Sequence, residues 1–98
     1  RGNLFIQEQG QDWRKIDLCH TSSINSLLLN NEQVTALSNN GYVAVIDYTL
    51  LDDEPTCTDP HVNVIQNADK ISILNAASVN NTMIAVTTSG IARLVNKQ

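Results

Sequence analysis

The feature that most limits what this chain can become is that it repeats itself. With Gly41 set over Gly90, Val34-Thr35-Ala36-Leu37-Ser38-Asn39-Asn40 lies over Met83-Ile84-Ala85-Val86-Thr87-Thr88-Ser89. After the glycines, Tyr42-Val43-Ala44-Val45-Ile46-Asp47 lies over Ile91-Ala92-Arg93-Leu94-Val95-Asn96. Each copy is an apolar strand, a short polar turn ending in glycine, and a second apolar strand. That is a β-hairpin pattern, since glycine takes positive φ with no Cβ to clash. The register holds upstream, where Ile24-Asn25-Ser26-Leu27 sits over Ile73-Leu74-Asn75-Ala76, so the period is 49 residues. A partial third copy, Gly2 to Glu8, precedes the Gly41 copy by 39 residues. The longer spacing is accounted for by residues 50–60, a polar, acidic, proline-bearing insert between strands.

Val, Ile and Thr dominate the ordered stretches and no apolar set recurs at helical spacing, so the chain reads as all-β. Strands are predicted at Leu4–Gln7, Trp13–Leu18, Ile24–Leu29, Gln33–Leu37, Tyr42–Asp47, Val62–Gln66, Ile71–Ala76, Met83–Thr87 and Ala92–Val95. In Tyr42-Val43-Ala44-Val45-Ile46 both faces are apolar, whereas a half-exposed antiparallel sheet would alternate apolar with polar. Each sheet is therefore expected to be packed between two others.

At this point the residues resemble the WD-repeat propeller family, whose repeat runs from a Gly-His pair through an apolar-x-x-Leu strand and a hairpin around Asp-Gly to Trp-Asp. Here His20 is followed by Ile24 and Leu27, then Asn39-Asn40-Gly41, then Val43, Val45, Ile46 and Asp47. Cys19 stands where the family has glycine, Asn40 replaces the turn aspartate, and Ile46 replaces the tryptophan. In the second copy Asp69, Ser89 and Val95 occupy the positions of the histidine, the turn aspartate and the tryptophan. The family's hydrogen-bond network from histidine to tryptophan cannot form intact in either copy; the apolar pattern and the glycine turn are what remain.

The resemblance implies antiparallel four-stranded blades of an incomplete propeller ring. Residues 1–18 would end one blade, residues 19–66 would form one blade carrying the insert at 50–60, and residues 67–98 would form most of the next. Two blades cannot close a ring, so self-association of the isolated segment is expected. The start at Arg1, neither an initiator methionine nor a signal peptide, is read as a segment of something longer.

The formal net charge is −4, and the six Lys and Arg are scattered, so no basic patch meets the needs of nucleic-acid binding. No apolar run is long enough for a membrane-spanning helix. The expected role is a protein–protein interaction scaffold or adaptor, neither an enzyme nor a holder of a cofactor or metal. The alternatives are a secreted carbohydrate-binding β module, or the non-catalytic part of a propeller enzyme. Cys19 and Cys57 read as two free thiols in a reducing, intracellular setting, with a bridge as the alternative. Asn80-Asn81-Thr82 is a glycan sequon if the protein is secreted.

Cys19, His20, Cys57 and His61 are ligand types for zinc, but neighbours on a strand point to opposite faces and the finger spacing is missing. The acidic residues of the insert lack the glycine and alternation of a calcium loop. Thr21, Ser22 and Ser23 after His20 are ordinary turn hydroxyls, and Trp13 reads as a strand residue on an outer edge.

Binding is expected on one end of the strands, where loops emerge from rigid supports. That end carries His20, Thr21, Ser22, Asn39 and Asn40 from one blade, and Asp69, Lys70, Thr88 and Ser89 from the next. The insert, with Asp52, Asp53, Glu54 and Asp59, is expected on the opposite face as a solvated electrostatic site that tolerates deletion.

Overall fold

The computed structural model describes residues 3–79 and 82–95. The described residues are all-β, with nine strands in three antiparallel sheets that do not close into a ring. Strands β1 (Asn3–Ile6) and β2 (Arg14–Asp17) form the first sheet. The second is a four-stranded meander of β3 (Ile24–Asn30), β4 (Gln33–Ser38), β5 (Tyr42–Asp47) and β6 (Val62–Gln66). The third contains β7 (Ile73–Val79), β8 (Thr82–Thr87) and β9 (Gly90–Val95). All nine expected strands are present, with ends shifted by a few residues. Trp13 lies just outside β2 and is 63% exposed. The sequon asparagine, Asn80, lies outside the described residues.

The two-faced apolar pattern has a direct cause. Ala36 and Leu37 are neighbours on β4, so they point to opposite faces, and both are fully buried. On Ala36's side, Ala44, Ile46 and Val62 pack with Ile16 and Leu18 of the first sheet and its connection. On Leu37's side, Ile73 and Ala85 of the third sheet complete a second core. The middle sheet is thus covered on both faces.

The sequence repeat is a structural repeat as well. The β3–β4 ladder slips between Ile24 and Ser26, and the β7–β8 ladder slips between Ile73 and Asn75, the same bulge one period later. The backbone bond from Asn39 N to Ser23 O (2.8 Å) recurs as Thr88 N to Ser72 O (3.1 Å). The β4–β5 turn is a 3₁₀ turn, Asn39–Gly41, with Asn40 at φ 59° and Gly41 at φ 78°. Gly41 is needed there twice over: its φ is positive, and a Cβ would stand 2.6 Å from the Asn67 side chain.

Two expectations about the insert are corrected. Cys19 and Cys57 are not free thiols but a disulfide, because the insert, which joins β5 to β6 at the end of the middle sheet away from Asn40, does not stay there. It crosses to the first sheet, where Thr56 makes a parallel bridge to Asp17 and Asp17 N donates to Pro55 O (3.1 Å). That crossing sets Cys57 beside Cys19, at a Cα separation of 5.8 Å. Nor is the insert uniformly solvated: Asp52, Asp53 and Glu54 are exposed, whereas Pro55 and Asp59 are buried.

Candidate functional site

The loop from β2 to β3, the β4–β5 turn and the β6–β7 connection meet at one end of the middle sheet. They surround an open depression of about 530 Å³. His20, Thr21 and Ser22 supply one wall, Asn40 and Lys70 the other, and Cys19 and the strand-end residues Tyr42 and Gln66 complete the lining.

His20 is fixed by two contacts. Its ring stacks on Tyr42 with centroids 4.1 Å apart and planes 12° from parallel. Ser22 N donates to His20 Nδ1 at 3.2 Å, so Nδ1 is the unprotonated nitrogen and Nε2 carries the hydrogen. Burial pushes the imidazole pKa below its ordinary value of 6.5, which favours this neutral form. Nε2 is buried with no hydrogen-bond partner among the described residues.

Asn40 joins three segments. Its Nδ2 donates to Ser22 Oγ (3.1 Å), its backbone N to Ser72 Oγ (3.0 Å), and its carbonyl accepts from Gln66 Nε2 (2.9 Å). Its left-handed backbone, tolerable for asparagine, is what aims the side chain at Ser22. Asn67 holds the next segment: Nδ2 donates to Ile71 O (3.0 Å) and Oδ1 accepts from Ile71 N (2.9 Å). Asn67 N also donates to Gly41 O, and Lys70 N to Asn67 O, each at 3.0 Å.

Among the described residues, four non-glycine residues have positive φ, and three of them, Cys19 (63°), Asn40 (59°) and Lys70 (54°), line the depression. Such residues are held in place only by a surrounding structure that over-determines them, and they concentrate at binding and switch sites. Here the restraints are the disulfide at Cys19, the hydrogen bonds at Asn40 and the Asn67 clamp at Lys70.

The structure therefore brings together five of the nine expected residues of this end: His20, Thr21, Ser22, Asn40 and Lys70. Asn39, Asp69, Thr88 and Ser89 do not line the depression. Asn39 and Thr88 spend their N–H groups closing the bulged ladders, and Ser89 N donates to Thr87 Oγ1 within its own hairpin (3.1 Å). Cys19, Tyr42 and Gln66 are site residues that sequence reasoning missed. Tyr42 carried the one available signal, as an aromatic residue immediately after the turn glycine.

The insert is anchored rather than free. Asp59 accepts from His61 N (2.8 Å) and Asp52 N (3.1 Å), and these donors hold its carboxyl below the ordinary carboxylate range. Arg14 Nη1 donates to Asp52 O (3.0 Å), tying the same segment to β2. Asp52, Asp53 and Glu54 remain an exposed acidic turn, but the disulfide to Cys19 joins the insert to the rim of the His20 depression rather than setting it wholly apart. The bridged sulfurs offer no thiolate to a metal. No group of three His, Cys, Asp or Glu among the described residues is placed to hold an ion. Comparison with protein-family models, with curated proteins and with solved structures finds no match to this chain.

Proposed function

We propose that this chain is a run of consecutive WD-repeat-like blades that acts as a scaffold or adaptor, recognising another protein through the depression around His20. The blade reading is supported by the meander of neighbouring strands, by the bulge repeated one period apart, and by the packing of successive sheets on both faces of the middle one. The binding reading is carried by one observation, the gathering of three positive-φ residues around a single open, polar depression. Thr21 and Lys70 are exposed there and form no side-chain hydrogen bond or ion pair among the described residues. They are free to meet a partner's carbonyl or carboxylate groups.

The test pairs capture with stability. Immobilised protein carrying Thr21→Asp and Lys70→Glu is expected to lose partners that the wild type captures from cell extract, at an unchanged melting temperature. Identical capture by both proteins refutes the assignment of the binding face. A second reading, a secreted carbohydrate-binding module, is favoured by the Cys19–Cys57 bridge, because such bridges persist in oxidising compartments. Glycan capture that is lost in the same double variant would select it over the adaptor.

A further inference from the structure

Two segments meet at the Cys19–Cys57 bridge, and they are held very differently. Cys57 stands in a turn pinned on both sides. Before it, Asp17 N donates to the carbonyl of the buried Pro55 (3.1 Å). Within the turn, Asp59 N donates to Thr56 O (2.9 Å) and Thr58 N to Thr56 Oγ1 (3.1 Å). After it, the buried Asp59 carboxylate accepts from Asp52 N and His61 N. Cys19 has much less to hold it. It is exposed, its backbone is left-handed at φ 63°, and its N–H makes a local bond to the Asp17 carboxylate two residues back (2.9 Å). A non-glycine residue is strained in that region, so opening the bridge removes the restraint that keeps Cys19 there and allows its backbone to relax. The stretch that follows, His20 to Ser22, is one wall of the depression. It closes on the rest of the site through the stacking of His20 on Tyr42 and the bond from Asn40 Nδ2 to Ser22 Oγ. Cys57 is thus a fixed post, and Cys19 is the tethered end of a movable wall.

We propose that the bridge is a redox latch on the His20 depression: oxidised, it holds the wall in place; reduced, it releases the wall while the sheets stay folded. The co-reactant is a dithiol. Its thiolate attacks Sγ of the exposed Cys19, the S–S bond breaks, and Cys57 leaves as a thiolate that takes up a proton. The second thiol of the reductant then displaces Cys19, so two electrons and two protons pass to the protein and the dithiol becomes a cyclic disulfide. That the latch controls partner binding rests on the assignment of the depression as the binding face; the movement of the wall does not.

The experiment is nuclear magnetic resonance of the 98-residue chain during titration with dithiothreitol. The His20 ring protons report the stacking on Tyr42, and the methyl groups of Leu37 and Ile73, buried in the second core, report the fold. Reduction is expected to move the His20 signals to those of an unstacked imidazole while the core methyl signals keep their positions, and reoxidation is expected to restore the starting spectrum. A variant carrying Cys19→Ser and Cys57→Ser should show the released His20 signals from the start and no response to the dithiol. Unmoved His20 signals once both cysteines react with a thiol reagent would overturn the proposal. So would His20 and core signals lost together, which would make the bridge a staple for the whole fold. Capture of partners from cell extract is then compared for the oxidised and reduced protein. Weaker capture on reduction extends the latch to binding. Equal capture with a moved His20 leaves the latch standing and refutes the depression as the partner's face.

Discussion

Replacing Cys19 and Cys57 together by alanine tests how much of this small fold depends on one covalent link. The bridge closes a loop across a sequence separation of 38, which in the chain-entropy treatment removes unfolded-state freedom equivalent to about 4 kcal/mol at 25 °C. Against this, Cys19 sits at φ 63°, and relief of that backbone strain when the tether is cut returns about 1 kcal/mol. The net expected loss is about 3 kcal/mol, a large share of the roughly 5–15 kcal/mol available to a domain of this size. In urea unfolding, at a slope of about 1 kcal/mol/M, the midpoint should fall by roughly 3 M with little change in slope. In thermal unfolding the midpoint should fall by roughly 12–24 °C. Reductant added to the wild type should reproduce most of the shift, and thiol reagents should label neither cysteine before reduction. A loss below about 1 kcal/mol would refute the reasoning, since an intact insert could then hold its place without the bridge.

Gly41→Ala should cost about 3 kcal/mol, about 1 from positive φ and about 2 from displacing the Asn67 amide from its two bonds to Ile71. In an Asn67→Ala background the same change should cost only about 1 kcal/mol, and chemical denaturation of the four proteins measures the difference. Because His20 has its pKa lowered in the folded state, its contribution is complete above the ordinary value of 6.5 and is lost as pH falls through the folded value. Melting temperatures measured from neutral to mildly acid pH should show this decline in the wild type and a flatter profile in His20→Phe, which keeps a ring to stack on Tyr42. Asp59→Asn should lower the melting temperature at neutral pH. It should also remove part of the acid sensitivity, because a carboxylate with a depressed pKa loses its contribution as pH falls through the folded value; equal acid sensitivity in the two proteins would count against this role.

The strands were legible because their signals are local. Val and Ile alternate over short runs, and Asn-Gly and Ser-Gly mark two turns, so strand identity needs nothing beyond a few neighbouring residues. The start of β7 moved from Ile71 to Ile73 because the backbone of Ile71 is claimed by Asn67, a competition that hydropathy does not register. The disulfide was not legible, since nothing near Cys57 reveals that the insert crosses to β2. In the insert, an acidic run reads as solvated, which holds for Asp52 to Glu54. Asp59 turns inward because free N–H groups at Asp52 and His61 need an acceptor. At the site, choosing between Asn39 and Asn40 required knowing which one takes the left-handed backbone, a choice made by the turn as a whole.

The single rung between Asp17 and the insert has a consequence for solubility. The outer side of β2 would otherwise present a row of free backbone groups on which a foreign strand could template, the usual route to edge-to-edge aggregation. Asp17 N is already spent on Pro55 O, and the Arg14 side chain is drawn across to Asp52 O. The residue lying against that margin is a buried proline, which has no N–H with which to continue a ladder. The insert therefore works as a gatekeeper: it occupies the edge with one bond and, through Pro55, denies the next rung to any intruding chain.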